Sequence, residues 1–149
     1  MNKFKESSHK PKIPAKPSAC PEEQYPHFSF RYMTTNNRYS FSSIEKLDTS
    51  QQSVILNGLV RRMEEITKNN WVFWGTQRKG QHGYETIPQQ QLRFSGTYPL
   101  TEDAKLIVFR FDTHRGTGCG RIIGFKKSPC SAYYVIGFDL GFNAYDHGS

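Results

Sequence analysis

The final third of the chain limits the fold more than any other part of the sequence. Segments 106–111, 121–125 and 133–138 are rich in β-branched and aromatic residues, which is typical of β-strands. The connections between them contain glycine, proline and serine, and they are shorter than the roughly twelve residues that a parallel crossover needs. We therefore predict a three-stranded antiparallel meander in this part of the fold.

Two helices are predicted upstream of the meander. Apolar residues recur at helical spacing between positions 55 and 66, and Asp48 with Gln51 forms a capping pattern, so we predict a helix over 49–67. Its charged residues are expected to lie largely on the solvent side: Arg61, Arg62, Glu64 and Glu65. The large aromatic residues at 71–74 precede a glycine and predict a short second helix.

An N-terminal strand completes the predicted elements. Residues 27–33 alternate between aromatic and polar side chains, which favours a half-buried strand, whereas 39–41 suit either a strand or a short helix. Segment 75–99 is polar and contains glycine, so we expect a long loop outside the core. The predicted fold class is α+β, with an N-terminal strand, one long and one short helix, the meander, and both helices on one sheet face.

Positive charge is concentrated near the N-terminus. The formal net charge is +7, and residues 1–20 alone hold five lysines and one glutamate. We therefore expect a basic disordered tail over 1–24, followed by a single domain over 25–149. The basic balance favours a polyanionic partner. Since no long apolar run or signal-peptide pattern occurs, we expect no membrane partner and a cytoplasmic location.

Two arginines stand within the apolar strands of the meander. Alternation places Arg110 on the face opposite Phe109 and Phe111, and Arg121 opens the next strand. If the helices cover the phenylalanine face, these guanidinium groups line an open concave surface that can hold phosphate. Burial of the arginines in internal ion pairs would exclude that role, and ordinary solvated strand faces are the alternative.

Side chains that can transfer protons occur in two places. One group is Tyr145, Asp146 and His147; the other is His82, Tyr84 and Glu85 in the polar segment. Histidine exchanges protons near neutral pH, and tyrosine acts as an acid or an orienting group. Spacing alone indicates catalysis only weakly, because polar residues in such segments are usually just solvated.

Metal and cofactor chemistry is not expected. Cys20, Cys119 and Cys130, with His114, match no standard metal-site spacing. The glycine-rich run at 116–120 lacks the lysine that a P-loop requires. We therefore predict neither a metal nor a cofactor.

With these residues assembled, the chain resembles the RelE/ParE-type toxin superfamily. The resemblance rests on KLIVFRF, GRIIGF and SAYYVIGFDLGFNAYDHG, and it is strongest over 105–149. It implies a toxin of a bacterial toxin–antitoxin system, partnered by a cognate antitoxin. The implied activity is metal-independent cleavage of RNA, usually ribosome-associated mRNA, by attack of the 2′-hydroxyl on the adjacent phosphate.

The resemblance also assigns roles to individual residues. Arg110 and Arg121 match the strand cations that stabilise charge on the phosphate. Tyr145 and His147 match the terminal motif, with His147 as the general acid, and Glu85 occupies the place of a general base. Further RNA contacts are expected from cations nearby: Lys126, Lys127, Arg115, Lys79 and Arg78.

Two observations keep other functions open. The expected domain carries little net positive charge compared with a ribosome-docking nuclease, and the superfamily includes members without nuclease activity, some acting on gyrase. One alternative is a non-catalytic nucleic-acid-binding protein that uses the same cationic sheet face. The other is an interaction protein whose exposed sheet edge pairs with a partner strand.

Overall fold

The computed structural model describes residues 24–78, 82–127 and 130–146, and in them the chain is α+β. Five strands and three α-helices are present in these ranges. They are β1 (His27–Ser29), α1 (Ser42–Glu45), α2 (Thr49–Thr67), α3 (Trp71–Thr76), β2 (Tyr84–Pro88), β3 (Lys105–Thr113), β4 (Gly116–Lys126) and β5 (Ala132–Asp139). None of the helices described has both the length and the apolar character needed to cross a bilayer.

The strands form one mixed sheet in the order β1-β5-β4-β3-β2. Strands β2 to β5 are antiparallel to their neighbours, and β1 runs parallel to β5. The α+β class and the antiparallel arrangement of β3, β4 and β5 agree with the prediction. The predicted N-terminal strand, β1, joins one edge of the sheet, and β2, which was not predicted, joins the other. The first strand is also shorter than the alternation at 27–33 predicts.

Helix α2 occupies the range that its sequence predicts. The Asp48 carboxylate accepts a hydrogen bond from the Gln51 N–H at 2.8 Å, which satisfies a donor that the helix itself cannot pair. Asn70 caps α3 in the same way by accepting from the Phe73 N–H at 2.8 Å. Local signals of capping and periodicity therefore fix both helices.

The helices cover one face of the sheet. Their buried side chains are Ile44, Ile55, Leu59, Ile66 and Trp74, and they pack against Phe109, Phe111, Ile122, Tyr133 and Val135 of the strands. This confirms the predicted placement of the phenylalanines of β3 toward the helices. It also places Arg110 on the opposite face.

That opposite face is not the open concave surface expected from the sequence. A second apolar cluster covers it with residues from the loops: Tyr39, Phe94, Ala144 and Tyr145 lie over Leu106, Val108, Ile123 and Ile136. Segment 75–99, predicted to lie outside the core, contributes β2 and two buried apolar side chains, Ile87 and Phe94. The sequence signal is weak there because these apolar residues stand singly among polar ones.

Helix α2 contacts the backbone of β3 directly at Gly58. An added Cβ at this position would lie 2.1 Å from the Asp112 carbonyl oxygen. Only glycine permits that approach, because the neighbouring atom is backbone and has little room to move. The contact fixes α2 against the part of β3 that continues beyond the end of β2.

We predict that Gly58→Ala destabilises the fold by about 1–3 kcal/mol, since overpacking outweighs the gain in helix propensity. Gly75→Ala in α3 is the matched control, because its added Cβ would meet nothing closer than 3.9 Å. This control is expected to be neutral or stabilising by up to about 1 kcal/mol. Urea unfolding measures both variants, and a Gly58→Ala protein as stable as the wild type would contradict the described contact.

Candidate nucleic-acid interface

Three side chains on neighbouring strands form a row on the face opposite the helices. The sheet register pairs Arg110 of β3 with Arg121 of β4, and Arg121 with Asp139 of β5. Directly paired residues share a face, so the three side chains are neighbours. Glu85 of β2 pairs with Val108 and lies on the same face, one alternate position from Arg110.

The C-terminal segment brings Phe142 and Tyr145 onto this row. We call the resulting group the arginine cluster: Glu85, Arg110, Arg121, Asp139, Phe142 and Tyr145. It unites four of the five residues that the resemblance marks as catalytic. The fifth, His147, lies outside the described residues.

Arg121 is enclosed by the protein. Its side chain has no exposed surface, its Nη1 lies 3.4 Å from Asp139 Oδ2, and its Nε lies 3.9 Å from Glu85 Oε1. The Phe142 ring centre lies 3.5 Å from its guanidinium carbon. Burial lowers the pKa of Arg121, while Tyr145 and Asp139 act in the opposite direction. Arg121 therefore has no surface with which to hold a phosphate, contrary to the sequence expectation.

Asp139 ties the C-terminal segment to the sheet. Its buried carboxylate accepts hydrogen bonds from the backbone N–H groups of Asn143 and Ala144, each at 3.1 Å. Phe142 lies between β5 and these two residues. Its backbone is left-handed, with φ of 60°, which is uncommon for residues other than glycine. The buried ion pair and this turn hold the cluster in one arrangement.

Tyr145 and Glu85 form a close hydrogen-bonded pair. The Tyr145 hydroxyl donates to Glu85 Oε1 at 2.6 Å, and Tyr145 is buried whereas the Glu85 side chain keeps 16% of its surface exposed. Burial, with a further contribution from the hydrogen bond to Glu85, raises the pKa of Tyr145 well above its usual value. Tyr145 therefore stays protonated at neutral pH and orients the Glu85 carboxylate.

A groove of about 610 Å³ opens beside the cluster, where β3 continues past the end of β2. Helix α2 forms one wall and the β3–β4 hairpin forms the other. The residues that line it include three arginines, Arg61, Arg62 and Arg110, together with Asn57, Glu65, His82, Asp112 and Gly118. Arg110 belongs to both the groove and the arginine cluster.

Arg62 is buried, although the sequence was expected to place it toward solvent. Its guanidinium lies 5.3 Å from the Trp74 ring and 5.5 Å from the Phe109 ring. It pairs with Glu65 at 2.8 Å and donates through Nη2 to the carbonyl of His82. The signal was present in the sequence, because position 62 is three residues after Leu59 and shares its helical face.

Two arginines that line the groove have a guanidinium donor with no hydrogen-bond partner among the described residues. The Nε atoms of Arg62 and Arg110 are buried and have no hydrogen-bond partner among the residues that the structure describes. Buried donors normally have a partner, so such groups need an explanation. The acids of the groove are already engaged: Glu65 pairs with Arg62, and Asp112 accepts from the Gly118 N–H at 2.8 Å. Both Nε atoms are enclosed by protein, so an anion in the groove would instead meet the accessible parts of Arg61 and Arg110.

The remaining predicted RNA contacts do not join the groove lining. Lys126 and Lys127 lie at the far end of β4, where their ammonium groups sit over the rings of Trp71 and Tyr98. Arg78 and Arg115 are exposed. Lys79 lies outside the described residues.

Comparison with protein-family models, curated proteins and solved structures finds no match to this chain. Across the described ranges, no group of three or more histidine, cysteine or acidic side chains is arranged to hold a metal ion.

We predict that Arg121→Met lowers the free energy of unfolding by about 3–5 kcal/mol, because it leaves the Asp139 carboxylate buried without its cation. Arg110→Met, at a half-buried site in the same row, is the matched control and is expected to cost about 1 kcal/mol or less. Chemical denaturation compares the two variants. Equal stability of Arg121→Met and wild type would show that Arg121 is not a structural cation.

Proposed function

We propose that this protein binds RNA by its phosphate backbone, in the groove between α2 and the β3–β4 hairpin. The observation that carries the proposal is the convergence of three arginines, Arg61, Arg62 and Arg110, on one groove whose acids Glu65 and Asp112 are already engaged. Guanidinium groups match phosphate oxygens in geometry and charge. A net charge of +7 adds a long-range attraction for a polyanion.

The surroundings of the groove favour a backbone-directed interaction. Arg61 is exposed at the edge of the groove, and its long side chain can contact a phosphate while α2 stays in place. Arg62 is held by Trp74 and His82, so its positive charge is fixed in the wall of the groove. Since none of these contacts reads a base edge, binding should depend strongly on salt and weakly on sequence.

RNA is proposed over DNA because of Glu85. Its carboxylate shares a sheet face with Arg110, which lines the groove, and the 2′-hydroxyl is the group of RNA that such an acceptor can recognise. Tyr145 fixes the direction of that carboxylate.

We predict that Arg61→Gln and Arg110→Gln each weaken binding of a short fluorescein-labelled oligouridylate. Each change should lower the slope of log K against log salt by about 1, since one phosphate contact is lost. Fluorescence anisotropy at several salt concentrations measures the slope.

Arg38→Gln is the matched control, because Arg38 is exposed and does not line the groove. It should alter affinity by less than about twofold by ordinary surface electrostatics. Equal losses of RNA affinity in all three arginine variants would indicate that RNA responds to overall surface charge. That result would contradict binding in the groove. No binding by the wild type would remove the proposal.

A second candidate function is that of a RelE/ParE-type endoribonuclease toxin, acting in the cytoplasm with a cognate antitoxin. The specific observation that favours it is the Tyr145–Glu85 hydrogen bond beside Arg110, which gives a partly exposed, oriented carboxylate next to a phosphate-binding cation. The burial of Arg121 favours simple binding instead, because only Arg110 of the two strand arginines can meet substrate.

The chemistry can be assigned to these residues. Glu85 would accept the proton of the 2′-hydroxyl as its oxygen bonds to phosphorus. The bond from phosphorus to the 5′-oxygen would break, and the leaving oxygen would take a proton from an acid, the role that the resemblance gives to His147. A cyclic phosphate and a free 5′-hydroxyl result. Arg110 would offset the charge that develops on the phosphate, and Arg121 would position Glu85 and Tyr145.

We predict that Glu85→Gln lowers RNA cleavage by at least about 100-fold, because general-base catalysis is lost, while RNA affinity changes little. Glu102→Gln, at an exposed acidic residue outside the cluster, is the matched control. Gel analysis of cleavage products with chelator present measures the rate, and growth arrest on expression reports toxicity. Binding without cleavage by wild type would leave the first function and exclude the second.

A further inference from the structure

A group of tyrosines lies at the other end of the sheet face that carries the arginine cluster. Tyr134 of β5 is the direct strand neighbour of Phe125 of β4, and their rings are stacked with centres 5.2 Å apart. Tyr98 stacks on Phe125 at 5.3 Å, and Tyr32 lies 4.8 Å from Tyr98 and 5.2 Å from Tyr134. Phe125 is buried, whereas the three tyrosines keep part of their surface exposed.

Two cations border these rings. The Lys127 ammonium lies 4.6 Å from the Tyr98 ring centre, and the Arg31 guanidinium lies 5.5 Å from that of Tyr32. A hydrogen bond with Tyr98 raises the pKa of Lys127, with the nearby tyrosines adding to the effect, so the ammonium stays charged. We name these three tyrosines and two cations the tyrosine patch.

Closing the core does not require this composition. Leucine or phenylalanine would cover Phe125 with less polar surface, and neither would gather cations around it. Partly exposed aromatic rings with flanking cations are typical of sites that bind single-stranded nucleic acid. The rings stack on the faces of bases, and the cations contact the phosphates.

We propose that the tyrosine patch is a second subsite for RNA, in which a base stacks on Tyr98 or Tyr134 while Lys127 contacts the adjacent phosphate. The ammonium now over the Tyr98 ring would move to the phosphate as the base takes its place. The inference rests on the proposed function, because it extends the same RNA across the sheet. Phe125 follows Arg121 by four residues on β4, which separates the subsite from the arginine cluster by about 13 Å.

The inference is tested by comparing Tyr98→Leu with Tyr98→Phe in the full chain. The leucine variant should bind a labelled oligoadenylate about five- to a hundredfold more weakly, because it loses the stacking ring, with the salt slope unchanged. The phenylalanine variant keeps the ring and should bind within twofold of wild type. A thermal melt of each variant verifies that the fold is retained.

A second readout does not depend on variant stability. RNA carrying 5-iodouridine, irradiated on the wild-type protein, should cross-link to Tyr98 or Tyr134, with the position identified by mass spectrometry. If Tyr98→Leu binds RNA as tightly as the wild type and no cross-link forms in the tyrosine patch, the proposed subsite is wrong. The proposal of binding in the groove would still stand. Failure of the wild type to bind RNA would overturn both proposals.

Discussion

The buried ion pair between Arg121 and Asp139 holds together the part of the fold that carries the arginine cluster. It crosses from β4 to β5 in the interior, and Asp139 also binds the backbone of the segment that follows. Through that segment the pair fixes Tyr145, and through Tyr145 it fixes the Glu85 carboxylate on β2. One buried charge pair thus connects the central strands, an edge strand and the C-terminal segment.

This arrangement separates two roles that arginines play in the same row of the sheet. Arg121 is surrounded by protein and stabilises the site, whereas Arg110 stands where β2 has ended and reaches the groove beside α2. Position in the sheet decides the difference: β4 has a strand on each side, whereas beyond Phe109 the described part of the chain places no strand on the β2 side of β3. Arg62 joins Arg110 from the helix side, so two elements distant in sequence bring positive charge to one groove.

Much of the fold follows from local signals, but less of the site does. The capping of Asp48 and the helical spacing predicted α2, and the apolar strands predicted the antiparallel part of the sheet. Phe94 was missed because it packs against Tyr39 and Gly137, which are remote in sequence, and β2 was missed because its buried Ile87 stands singly among polar residues. Glu85, Arg110, Arg121 and Tyr145, which the resemblance selects, lie together in the arginine cluster, and their catalytic roles stay predictions.

Burial of Arg121 could not be read from the strand pattern, since it depends on where the C-terminal segment folds back. An alternating strand indicates which face a residue occupies, and the depth of cover on that face comes from distant parts of the chain. For Arg62 the sequence held the information, because its spacing to Leu59 and Ile66 places it on the apolar stripe of α2.

The most direct test of the groove is the NMR signal of the arginine Nε–Hε groups during titration with a short oligouridylate. Signals are assigned by single Arg→Lys variants. If RNA phosphates bind in the groove, the Arg62 and Arg110 signals shift together and saturate at one concentration, while that of Arg121 stays in place. Unchanged Arg62 and Arg110 signals at concentrations where RNA is bound would contradict the account.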